Sequence, residues 1–172
     1  MDNCIAGVLA EFCWKDYLNK EIEIVSETEF SSANNQIDLR IISNSKTIEV
    51  RSSFPRNGIS FAICHPQHQF DIIGPYANSY KPGEIQKDFY VRTLYPFQSN
   101  LIATKIKEDE FKVYLTGGAT WNMMINPEIG INKNLIPEDE LDPTRINTAS
   151  TYRVVPFNKA LDTIQIKSQI VQ

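Results

Sequence analysis

The chain has 172 residues, 42% of them hydrophobic and 22% charged, the proportions of an ordinary globular protein that can bury a core without staples. Its net charge of −4 and pI near 5.2 repel a nucleic-acid backbone, and no Lys- or Arg-rich run offers a local exception. No apolar run reaches the ~18 residues a membrane span needs, "MDNCIAGVLAEF" is too acidic for a good signal peptide, and three widely spaced cysteines make no disulfide framework.

The first element is predicted as a helix over about 3–19. Ile5, Val8, Leu9, Phe12 and Cys13 follow helical spacing along one face, and Asp2 or Asn3 can cap it. Trp14 falls on the opposite face, which marks it as an interface residue. From Glu21 the period becomes two, with Ile22, Ile24, Ser26, Thr28 and Phe30 on one side of a strand.

In "IDLRIISNSKTIEVRSSF" a two-residue turn at Asn44-Ser45 sets Ile41 opposite Ile48 and Leu39 opposite Val50. The other face then pairs Arg40 with Glu49 and Asp38 with Arg51, as expected of a half-buried antiparallel hairpin. Asn57-Gly58 predicts a second hairpin that places Phe54 opposite Phe61 and Val50 opposite His65.

After the turn-rich "GPYANSYKPGEIQ", strands are expected in "DFYVRTLYPF", "NLIATKI", "FKVYLTGG" and "ATWNMMI", with Gly117-Gly118 as a hairpin turn. Residues 126–150 read as irregular, and "TYRVVPF" and "DTIQIKSQIV" as closing strands over 151–171. No linker or fixed-period repeat divides the chain. The expected fold is one mainly β domain over 1–172: an antiparallel β-sandwich or β-barrel of successive hairpins, hairpin-rich over about 21–125, with one short N-terminal helix.

"ICHPQHQFD" gathers both histidines, a cysteine and an aspartate. The hairpin register sends Cys64 and His65 to opposite faces and Pro66 holds His65 extended, so the two cannot share an ion. His65, His68 and Asp71 are the remaining metal candidates, and a fourth ligand would have to come from elsewhere. Ser60 lies inside a strand rather than on a nucleophile elbow, and a histidine next in sequence does not activate Cys64. "PEDELDP" lacks the glycine and terminal glutamate of a calcium loop.

No catalytic constellation and no cofactor are therefore expected. Tyr and Trp anchor interfaces, and the aromatic loop around Pro75, Tyr76, Tyr80 and Pro82 is the expected contact surface beside Trp14. The functional expectation is a non-enzymatic protein–protein interaction or assembly subunit, such as a structural component of a virus or phage particle, working in the cytoplasm or in a particle assembled there. Its partner would be another protein or a second copy, with no nucleic acid and no membrane span. The alternatives are a small-molecule-binding calycin-like β-barrel and a small acidic inhibitor or immunity protein. A metal-dependent hydrolase on His65, His68 and Asp71 stands last.

Overall fold

A computed structural model describes residues 2–30, 32, 35–55, 70–77, 83–108, 112–135 and 150–172. Helix α1 (Asp2–Leu18) leads into the strands β1 (Val25–Glu27), β2 (Leu39–Ile41), β3 (Thr47–Ser53), β4 (Ile72–Ala77) and β5 (Phe89–Leu94). Then come α2 (Ile102–Lys105), β6 (Tyr114–Thr120), α3 (Trp121–Ile125), β7 (Ile131–Leu135), β8 (Ser150–Val155) and α4 (Thr163–Val171). The chain is thus β-rich with an N-terminal helix, as expected, but helix and strand contribute about equally. The strands form two open sheets, ordered β1-β2-β3-β5-β6 and β4-β8-β7, not a closed barrel.

The main sheet is mixed. β3 and β5 run parallel, from Ile48 against Phe89 to Ser53 against Leu94, so a chain of successive hairpins is corrected at its centre. A parallel pair needs a long crossover, and here that connection carries β4 into the second sheet. Both faces of β5 are covered, and all six of its residues are buried.

One face is covered by helices. Ala10, Trp14 and Leu18 of α1 and Ile166 and Ile170 of α4 form a cluster with Leu39, Ile41, Ile48, Val50, Phe89 and Val91. The other face meets the second sheet through Tyr90, Ala119, Ile72, Val155 and Met124.

The β2–β3 hairpin forms with the predicted faces but a different register, Leu39 opposite Ile48 and Arg40 opposite Thr47. The turn is longer than two residues: Ser45 N–H donates to Ile41 O at 2.9 Å, with Ser45 at φ 60°. The slip is two residues, which returns every side chain to the same face. The Asn57-Gly58 hairpin lies outside the described residues.

Several expected strands are helical. "NLIATKI" folds as a 3-10 turn and α2, and in "ATWNMMI" Ala119 and Thr120 end β6 while Trp121–Ile125 form α3, whose first turn is capped by Thr120 Oγ1 accepting from Met123 N–H. "DTIQIKSQIV" becomes α4: the Asp162 carboxylate accepts from Gln165 N–H at 2.8 Å, and the Gln165 side chain accepts from Asp162 N–H at 2.9 Å. That reciprocal capping box satisfies two otherwise orphaned donors, and Ile166 and Ile170 then fall one turn apart on the buried side. The region expected to be irregular contains β7.

Gly117-Gly118 is not a turn. Both lie inside β6, where Gly117 has φ +96° and an added Cβ would meet Leu161 O at 2.1 Å. Gly118 and Leu161 exchange backbone hydrogen bonds of 2.9 Å in each direction, which seats the start of α4 against β6.

The faces of the first two elements are reversed. In α1 the buried residues are Ala6, Ala10, Trp14 and Leu18, whereas Val8 is 68% and Phe12 59% exposed. In β1 Val25 is buried, while Ile22 and Phe30 on the expected inner side are exposed.

Candidate functional site

Alternation in β3 sends Ile48 and Val50 toward the helices and Glu49 and Arg51 toward the second sheet. Arg51 Nη2 lies 2.9 Å from Glu49 Oε1 and hydrogen-bonds both oxygens of Glu84, at 2.8 and 2.7 Å. Lys87 Nζ lies 2.9 Å from Glu49 Oε2, a Coulombic contact without hydrogen-bond alignment, and 3.7 Å from Glu84 Oε1. Among the described residues two cations thus meet two carboxylates in a cluster where the side chains of Glu84 and Lys87 are almost wholly buried. The Arg51 guanidinium also sits 5.3 Å from the ring centroid of Tyr76, which stacks on Tyr152 at 4.8 Å. Burial raises the Tyr90 and Tyr152 phenols above their usual range, so both stay neutral. Both carboxylates are held in ion pairs, so the arrangement ties the segment before β5 to β3 rather than offering an acid–base pair.

Asp38 borders this cluster. Its carboxylate is buried and accepts the Val50 N–H at 2.7 Å. Burial first, then the neighbouring Glu49 and Glu11, push it up to about 7, against the lowering effects of the Val50 hydrogen bond and Arg51. A raised acid binds its proton more tightly folded than unfolded. Its contribution to stability is therefore complete below about pH 4, the unfolded value, and is lost as pH rises through 7. Asp38→Asn keeps an acceptor for Val50 and removes the titration. The variant is expected to be more stable than the parent at pH 8 by on the order of 2 kcal/mol, with the gain shrinking toward pH 5. Urea denaturation at both pH values measures this, and equal differences would refute the assignment.

Of the sequence-predicted site residues, Trp14, Asp71, Pro75 and Tyr76 are among the described ones. Asp71 is buried and paired with Lys133, and its backbone oxygen accepts from Arg92. His65 and His68 lie outside the described residues, as do Cys64, Ser60, Tyr80, Pro82 and the acidic "PEDELDP". Among the described residues no three metal-ligating side chains converge. Pro75 and Tyr76 lie on β4, with Tyr76 in the stack above. Trp14, expected at an interface, is fully buried in the core and presents no surface to a partner. That correction follows from the rotation of α1: the small Ala6 and Ala10 let the helix approach its neighbours closely, with Trp14 filling the space beyond them.

The same rotation turns outward a face whose apolar spacing predicts burial. Cys4, Ile5, Val8, Leu9 and Phe12, with Ile106 after α2, enclose an apolar groove of about 480 Å³. Ile5 and Leu9 lean on the cluster of Ala6, Tyr95 and Ile102 and form its inner wall, while Tyr95 Oη donates to Ala6 O at 2.8 Å and fixes the helix there. Val8, Phe12 and Ile106 remain largely exposed. The signal was present as a helix with two apolar stripes, of which only one can face the core.

No family model, curated protein or solved structure matches the chain.

Proposed function

We propose that the chain is a non-enzymatic protein–protein interaction or assembly subunit that engages a protein partner through the outward face of α1. The observation that carries this reading is the pair Val8 and Phe12, 68% and 59% exposed beside an apolar groove on a helix anchored to the fold. Burying each would contribute about 1.5–3 kcal/mol, enough to make the pair an anchor of an interface. The ion pairing of Glu49 and Glu84 supports the non-enzymatic part. A structural component of a virus or phage particle is one member of this class.

Val8→Glu combined with Phe12→Glu tests the proposal, since exposed positions tolerate charge at little cost in stability. Circular dichroism and the thermal midpoint are expected to match the parent. Light scattering after size exclusion and pull-down from the native source are expected to show an assembly or partner complex with the parent and not with the variant. A parent that is monomeric and captures nothing, or a variant that associates equally well, would overturn it.

A further inference from the structure

A second cavity, remote in chemistry from the α1 groove, encloses about 440 Å³ where the N-terminal ends of β3 and β5 meet the start of α3 and the end of α4. Its lining mixes polar and aromatic residues: the amide-bearing Gln86, Asn122, Gln169 and Gln172, the oppositely charged Lys46 and Asp88, and Phe89 and Trp121. From this set we infer a binding site for a neutral saccharide of one or two rings.

Charge and hydrogen-bonding capacity both point to that ligand class. One cation and one anion cancel, so the groove has no preference for a charged ligand from these two groups. Each primary amide presents both donors and an acceptor. A phosphate offers mainly acceptors and an ammonium only donors, so either would match an amide less fully. A sugar hydroxyl gives and accepts, and satisfies both halves of an amide. The volume lies within the range of small-molecule sites and accommodates a mono- or disaccharide.

Trp121 supplies the apolar element that the C–H face of a pyranose needs, and its position is fixed by the fold. Its backbone N–H donates to Asp88 O at 2.8 Å, and its ring lies 6.4 Å from that of Tyr90, tilted by 40°. Asp88 is held in turn: its Oδ2 accepts from Thr47 N–H at 2.8 Å and from Thr47 Oγ1 at 3.0 Å. The platform and the carboxylate thus stand on ordered strand ends, which reduces the ordering cost of binding.

The chain has two tryptophans, and Trp14 is buried in the core, so a ligand in this groove reports through Trp121. Intrinsic fluorescence of the full chain is titrated with glucose, galactose, mannose, N-acetylglucosamine, maltose and cellobiose, with inorganic phosphate and spermidine as charged comparators, and a glycan array widens the panel. At least one saccharide is expected to give a saturable change at millimolar concentration or below. Asn122→Ala and Gln169→Ala, both at exposed positions, are each expected to weaken it about fivefold or more, as loss of one hydrogen bond predicts. The Val8→Glu, Phe12→Glu variant is expected to bind normally, which separates this site from the α1 face. No saturable saccharide response and no array signal, equal binding by the two amide variants, or tighter binding of phosphate or spermidine would overturn the inference.

Discussion

Lys87→Met is expected to destabilise the fold by about 3–5 kcal/mol, the cost of removing one partner from a buried ion pair and stranding the other. The methionine keeps the aliphatic stem, so the loss isolates the charge. Lys87 is 1% exposed, and its ammonium lies 2.9 Å from Glu49 and 3.7 Å from Glu84, the two carboxylates that also pair with Arg51. Lys105→Met is the control: Lys105 pairs with Glu108 at 2.9 Å on the surface, where such a bridge contributes under about 1 kcal/mol. Urea denaturation of the two variants compares them directly. Equal midpoints would mean that the cluster does not hold the segment before β5 in place.

Trp14→Ala is expected to cost a similar 3–5 kcal/mol, because the indole is wholly buried between α1 and the main sheet and its loss leaves a cavity. Trp14→Phe separates volume from polarity. The buried indole Nε1 has no hydrogen-bond partner among the described residues, so phenylalanine removes an unsatisfied donor while keeping an aromatic ring near Tyr17, now 5.9 Å away edge-on. Phenylalanine is therefore expected to recover most of the stability lost with alanine, as read from thermal midpoints. An alanine variant within about 1 kcal/mol of the parent would return Trp14 to the surface and restore it as a contact residue.

What the sequence disclosed depends on whether a pattern had one physical solution. Leu39, Ile41, Ile48 and Val50 could share a face in only one way, and they do. The turn length stayed hidden because a slip of two residues leaves the buried set unchanged. In α1 two stripes both had helical spacing, Ile5-Val8-Leu9-Phe12 and Ala6-Ala10-Trp14-Leu18. Hydrophobicity favoured the first, whereas packing selected the second, which combines small residues with one large ring. In α4, Ile164 and Ile166 alternate like a strand, and the capping box from Asp162 to Gln165 was the discriminating signal.

Non-local chemistry left no trace in local patterns. Glu84 and Lys87 fall in a turn-rich, aromatic loop, and nothing around them indicates that Glu84 meets Arg51, 33 residues earlier. Local alternation predicts Glu49 and Arg51 on the wet face of a hairpin, but that face is buried by the second sheet and by these same loop residues. The parallel pairing of β3 with β5 is equally silent, since both strands look the same from within.

Helices α1 and α4 share one face of the main sheet, and Lys167 Nζ donates to Tyr17 O across a separation of 150 residues. That arrangement imposes an order on synthesis. A ribosome produces α1 and the first three strands before Ile166 and Ile170 exist, so the nascent sheet carries uncovered apolar surface while the intervening residues are made. Contacts this distant in sequence must also wait for the intervening chain to condense. The main core closes only when residues 163–171 arrive, and until then the growing chain is exposed to aggregation at the seam that α4 will fill.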